Sequence, residues 1–225
     1  MIYYKIGDKK MASAVIHLCV AKRVSDKLLE RNIELDVQAF SLGAIAPDIA
    51  KQIGETKNKS HFLPENATED DVPNISKFLD KYGHLLHKPF ELGYYVHLLT
   101  DEYWFRDFIY LFIKAYCKNQ NLDDLSYTEL KNIIYTEYTN MNISLIAKYE
   151  LDVSLFTDQH IDYPQSEITE VPMDKIHIIV DKMGEIIRNS KTGEVKLLEL
   201  YYIYDFIEEC TNKIIARLEA INFFN

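Results

Sequence analysis

The sequence predicts an all-α protein, a compact single-domain bundle of about six to eight helices, and three observations predict it. Apolar residues recur at steps of three and four along most of the chain, the spacing of one helix face. Seven glycines and six prolines in 225 residues are too few for turn-dense β architecture or long linkers. At 48% hydrophobic and 27% charged, the composition is that of a globular chain able to bury a core.

The elements follow in order. Ala14, His17, Ala21, Val24 and Leu28 form one stripe of a first helix, predicted from Met11 to about Arg31. A second runs from Val37 to about Ala46 and stops near Pro47, which disfavours helical geometry in the residue before it. Residues 51–73 carry Gly54, Asn58, Pro64, Asn66 and Pro73 and read as a long polar loop, a kind that is often functional in a compact domain. A short helix is predicted over 74–82 and a long one over 89–118. The next covers 126–150 and opens with Ser126 and Glu129 at capping-box spacing. Residues 151–172 read as irregular, and helices are predicted over 173–188 and 194–222. No repeat, low-complexity tract or composition shift divides the chain, so residues 1–225 read as one domain.

A formal charge of −10 argues against nucleic acid or an anionic membrane as the main partner, because phosphate backbones are bound by Lys and Arg. Cys19, Cys117 and Cys210 are odd in number and widely spaced, as in a reduced cytoplasmic protein. The start, "MIYYKIGDKKMASAVIHL", lacks the pattern of an export signal. No apolar stretch approaches the roughly 18 residues that span a bilayer. The expectation is a cytoplasmic protein without stable membrane association, its oligomeric state open.

Polar residues on apolar faces point to the chemistry. Phe90, Gly93, His97, Asp101, Trp104 and Phe108 form one stripe of the long helix, which sets His97 and Asp101 one turn apart on an apolar face. Gly93, a turn before His97, would make room beside the histidine. Glu102 has Arg106 four residues on and reads as half of a surface ion pair. Asp101 has no Lys or Arg at three or four positions, and an inward carboxylate needs a partner or a metal. Each residue has a plainer reading by itself. His97 and His17 can be core histidines satisfied by backbone carbonyls, Asp48 can cap a following helix, and His61 can be a solvated loop residue. As a set, three histidines and two aspartates facing one interior form the mixed nitrogen and oxygen shell that borderline divalent metals favour. Tyr94 and Trp104 border the stripe, as pocket lining or as core.

The order "HLCVAK", "LGAIAPDI", "SHF" and "LGYYVHLLTDEYW" resembles the zinc-dependent phospholipase C family, mostly bacterial all-helical metallohydrolases. The resemblance covers roughly residues 11–110. It implies one or two zinc ions, or a similar divalent metal, with His17, Asp48, His61, His97 and Asp101 as ligands. It also gives Asp48 general-base character and makes Asp101 the carboxylate between two metals. The implied function is hydrolysis of a small phosphoester, a phosphodiester foremost, by a metal-activated water. The alternative is a non-catalytic metal-binding or scaffold protein that keeps the fold. The chain departs from the secreted members. Sixteen residues precede His17, so their amino-terminal ligand is not carried over. Their further metal site has only His160 and the i, i+4 pair His177 and Asp181 as counterparts, the latter in an ordinary amphipathic helix. His84 and His87 read as surface or capping residues.

Overall fold

Ser13 starts the first helix by accepting a hydrogen bond from the Ile16 amide at 3.2 Å, one of the donors a helix start leaves open. The computed structural model describes residues 12–68, 71–109, 111–112, 118, 127–157 and 161–224. The helices are α1 (Ala14–Leu29), α2 (Val37–Gly43), α3 (Ile49–Gln52), α4 (Ile75–Tyr82), α5 (Pro89–Tyr103), α6 (Tyr127–Lys148), α7 (Ser154–Thr157), α8 (His177–Asn189) and α9 (Leu200–Ala220). Among the described residues there is no strand, as predicted, and no helix is long and apolar enough to cross a membrane.

The core is organised around α5. Every residue from Phe90 to Tyr103 is buried, the mark of a helix enclosed on all sides rather than amphipathic. Pro89 opens it at the first helical position, where a missing N–H costs nothing. α2 packs along one side of it, α1 and α4 along others, and α9 lies against both α1 and α5. A π-helical segment, Trp104–Ile109, continues α5. Its Trp104 ring is fully buried against Phe108 and Phe206.

Two glycines set the closest helix crossing. A Cβ on Gly43 would lie 2.0 Å from the Phe90 carbonyl oxygen, and one on Gly93 would lie 2.1 Å from that of Phe40. The pair therefore lets the backbones of α2 and α5 touch. Gly93 makes room for α2, not for the histidine beside it as the sequence suggested.

Several boundaries differ from the predicted ones. α2 ends at Gly43, and a 3-10 turn over Ala46–Asp48 carries the chain through Pro47. The helix predicted from residue 194 begins at Leu200. Before it, the buried Glu137 carboxylate of α6 accepts the amides of Lys196, Leu197 and Leu198 and holds that stretch out of helical geometry. Glu102 does pair with Arg106 at 2.9 Å, yet it is buried and also lies near Arg217 at 3.5 Å. Ser126 and Cys117 lie outside the described residues; Cys19 and Cys210 are buried free thiols.

Candidate metal centre

His17 sits in the buried stripe of α1, and His97 and Asp101 lie one turn apart on α5. The α1–α5 contact brings His17 Nε2 to 3.2 Å from Asp101 Oδ1 and stacks the His17 and His97 rings, with centroids 3.9 Å apart. Asp48 closes the 3-10 turn ahead of α3. It occupies the cap position of α3 but makes no capping hydrogen bond.

His61 is delivered by a compact turn within the predicted polar loop. The His61 amide bonds the Lys57 carbonyl at 2.9 Å, and Phe62 and Leu63 bond back to Lys59 and Asn58, a Schellman ending. Such an ending places one residue in the left-handed region, where glycine is usual; here it is Phe62, at φ 56°. A bulky residue holds that conformation at a cost of about 1–3 kcal/mol only where its surroundings fix it. They do so here: the Phe62 ring is buried edge-on against Phe78 at 5.5 Å, with Tyr82 and Tyr94 alongside. Tyr94 donates to the Ser60 carbonyl, and the Asn74 amide bonds that of His61. The loop is thereby pinned from three sides with His61 pointing inward.

All five sequence-predicted residues converge. His61 Nε2 and His97 Nε2 are 3.2 Å apart, and Asp101 Oδ2 lies 3.3 Å from the first and 3.6 Å from the second. Asp48 Oδ1 is 3.9 Å from His61 Nε2 and 3.8 Å from His97 Nε2. Two overlapping groups of metal-ligating type result, His17–His97–Asp101 and Asp48–His61–His97.

Hydrogen bonds assign the tautomers. His97 Nδ1 lies 2.8 Å from the Ala44 carbonyl, which can only accept, so Nδ1 carries the proton and Nε2 a lone pair. The Ser60 hydroxyl lies 3.3 Å from the Lys57 carbonyl and 3.0 Å from His61 Nδ1, so it can accept the Nδ1 proton and leave His61 Nε2 free as well. Two imidazole nitrogens and a carboxylate oxygen thus face one another in a buried space. Both oxygens of Asp101 and both nitrogens of His17 lack a hydrogen-bond partner. Buried acceptors without donors are expensive, and a cation removes that cost.

A proton on His97 is not favoured here. Burial, and then the charge of His17, push His97 down to about 3; burial also lowers His61. Burial pushes the Asp101 carboxyl up, but the charge of His17 beside it outweighs this and holds Asp101 well below the usual carboxylate range. Asp48, likewise raised by burial, is brought down to about 2 by Lys57, His97 and His17. A divalent ion fits better. Tetrahedral ligand bonds of about 2.0–2.1 Å separate the ligand atoms by about 3.3 Å, close to the spacings seen. Nitrogen and oxygen donors together suit zinc and its neighbours rather than calcium or magnesium.

The other candidates are placed elsewhere. Tyr94 and Trp104 are fully buried in aromatic packing. His177, Asp181, His84 and His87 are exposed, and His160 lies outside the described residues. Sequence reasoning missed Lys57, whose ammonium sits 2.5 Å from Asp48 Oδ1. It also missed Ser60 and the Ala44 carbonyl, which orient the two histidines as outer partners of metal ligands do. The "KNKSH" stretch, residues 57–61, held the only available signal, a lysine four residues before a candidate ligand. Compared with known protein families, curated proteins and solved structures, the chain matches none.

Proposed function

We propose that the chain is a metal-dependent phosphoester hydrolase, similar to the zinc-dependent phospholipase C family, acting on a small phosphoester and on a phosphodiester foremost. The observation that carries this is the meeting of the His61 and His97 Nε2 atoms with the buried Asp101 carboxylate, whose oxygens lack a hydrogen-bond partner. His61, His97 and Asp101 Oδ2 would hold one zinc ion, with Asp48 Oδ1, 3.9 and 3.8 Å from the two imidazoles, at the remaining side where a water is taken up, and His17 with Asp101 Oδ1 stands ready for a second. Bound there, such an ion lowers the pKa of a water toward about 7 and takes up charge on phosphoryl oxygens.

The protein's own groups supply the rest. Ala44 and Ser60 keep the lone pairs of His97 and His61 aimed at the centre. The core around α5 excludes bulk water. Asp48, kept ionised beside Lys57, accepts a hydrogen bond from the attacking water and orients it. Taking the proton outright is the weaker part of its role, because general bases work best with a pKa near the operating pH.

A second reading, a non-catalytic metal-binding or scaffold protein, is favoured by the burial of the cluster: four of its five side chains are at most 3% exposed. Turnover separates the two. Hydrolysis of bis(p-nitrophenyl) phosphate by tag-free protein, abolished by a chelator and restored by zinc, is the expected result. A zinc-loaded protein that turns over neither this diester nor p-nitrophenyl phosphate would leave the scaffold reading standing.

A further inference from the structure

We propose that Lys57 binds the phosphoryl anion of the substrate, at the edge of the metal centre through which a ligand arrives; this rests on the hydrolase reading above. The route follows from burial. His17, His61, His97 and Asp101 are sealed in the core, whereas Asp48 and Lys57 are each 17% exposed and lie side by side. Of these six side chains, Asp48 and Lys57 are the two that meet solvent.

The position of Lys57 is built rather than incidental. Its carbonyl accepts from the His61 amide and the Ser60 hydroxyl, so Lys57 and His61 stand at the two ends of one turn. The buried Phe62 ring that fixes His61 therefore fixes Lys57 too. Its ammonium touches Asp48 Oδ1, the same oxygen that approaches both bare imidazole nitrogens.

Charge then selects the ligand. A cation here repels a metal ion held by Asp48, so a site evolved for metal retention alone would do better without it. An anion between the two reverses the sign, since it is attracted by both. With the imidazoles acting as neutral ligands, two carboxylates and one ammonium leave the cluster with one net negative charge. A single divalent ion turns that into one net positive charge, the complement of a phosphodiester monoanion. Lysine serves as a point-charge phosphate binder in this way.

The test compares zinc-loaded wild type, Lys57→Gln and Lys57→Arg. Zinc content is measured first, then calorimetric titration with inorganic phosphate, then KM and kcat on bis(p-nitrophenyl) phosphate. The same kinetics on a short-chain phosphatidylcholine tell a lipid headgroup from a soluble diester. Equal zinc in all three is expected, with phosphate affinity about tenfold or more weaker in Lys57→Gln, the scale of a lost bond to a charged group. KM should rise more than kcat falls on whichever substrate turns over, and Lys57→Arg should recover most of both. Equal phosphate affinity in wild type and Lys57→Gln overturns the proposal. So does loss of zinc from Lys57→Gln, which would make the lysine a support for Asp48. Zinc-loaded wild type that binds no phosphate sinks the Lys57 role and leaves the metal centre intact. Wild type that takes up no zinc sinks the hydrolase reading and this inference together.

Discussion

His97 has one nitrogen committed to the Ala44 carbonyl and one in the cluster, so it can serve a single ion at a time. The two overlapping ligand groups therefore compete for it, and Asp101, with an oxygen toward each, is the residue able to belong to both. Its environment also fixes how acid acts on the metal-free protein. His97 is held at about 3 by burial, while an unfolded imidazole titrates near about 6.5. Between those values the unfolded chain binds a proton that the folded chain refuses, so stability rises with pH across the interval. His61, lowered too, acts in the same direction. The depressed carboxyls of Asp48 and Asp101 add stability above about pH 3.9, lost as pH falls further. In chelator-treated protein the melting temperature should drop between pH 7 and pH 5, and less steeply in His97→Gln. Melts that are flat over this range, or that rise with acid, would contradict the buried neutral imidazoles. His17, His97 and Asp101 were legible in the sequence because each interrupts an apolar helix face, whereas Asp48 and His61 were legible only as members of the set and through the resemblance. Ala44 and Ser60 were not, because one contributes a backbone carbonyl and the other is an ordinary loop serine until the turn closes.

The elements show where local pattern stops deciding. α1 and α5 were readable from apolar spacing, α5 with its start at Pro89, while the start of α1, read at Met11, is set by the Ser13 cap. The end of α2 was not, because it depends on the crossing in which Gly43 and Gly93 each admit the other helix's backbone. That crossing also carries Ala44 to His97, so helix packing and imidazole orientation are one event. Alanine at Gly93 tests this with an informative sign. In an ordinary helix the change would stabilise by up to about 1 kcal/mol. Here the added methyl meets a carbonyl oxygen, so Gly93→Ala should destabilise by about 1–3 kcal/mol or more and weaken zinc binding with it. Urea denaturation with zinc titration would check both. A variant as stable as wild type would show that α2 does not need the close approach. The late start of α9 was equally hidden, since it is set by three amides bound to a glutamate some sixty residues earlier.

Across the whole molecule, the cluster lies where α1, α5, the turn before α3 and the pinned loop meet, and one continuous apolar core of the described residues extends from α1 to α9. The all-α class was legible because helical periodicity dominates the chain, and the helical half of the site because His17, His97 and Asp101 are of the wrong chemistry for the faces they occupy. Lys57 was hidden because it lies in a polar loop where a lysine is unremarkable. Candidate ligands drawn from α1, the turn before α3, the pinned loop and α5 would couple metal binding to folding. The central claim is that this cluster holds a metal, and metal content tests it most directly. Plasma mass spectrometry on tag-free protein, beside a His97→Ala, Asp101→Ala double variant, should find about one to two equivalents of zinc or a similar divalent ion in wild type and none in the variant. No bound metal in wild type after incubation with zinc would contradict it, and the converging histidines and aspartates would then be a packing arrangement of the core.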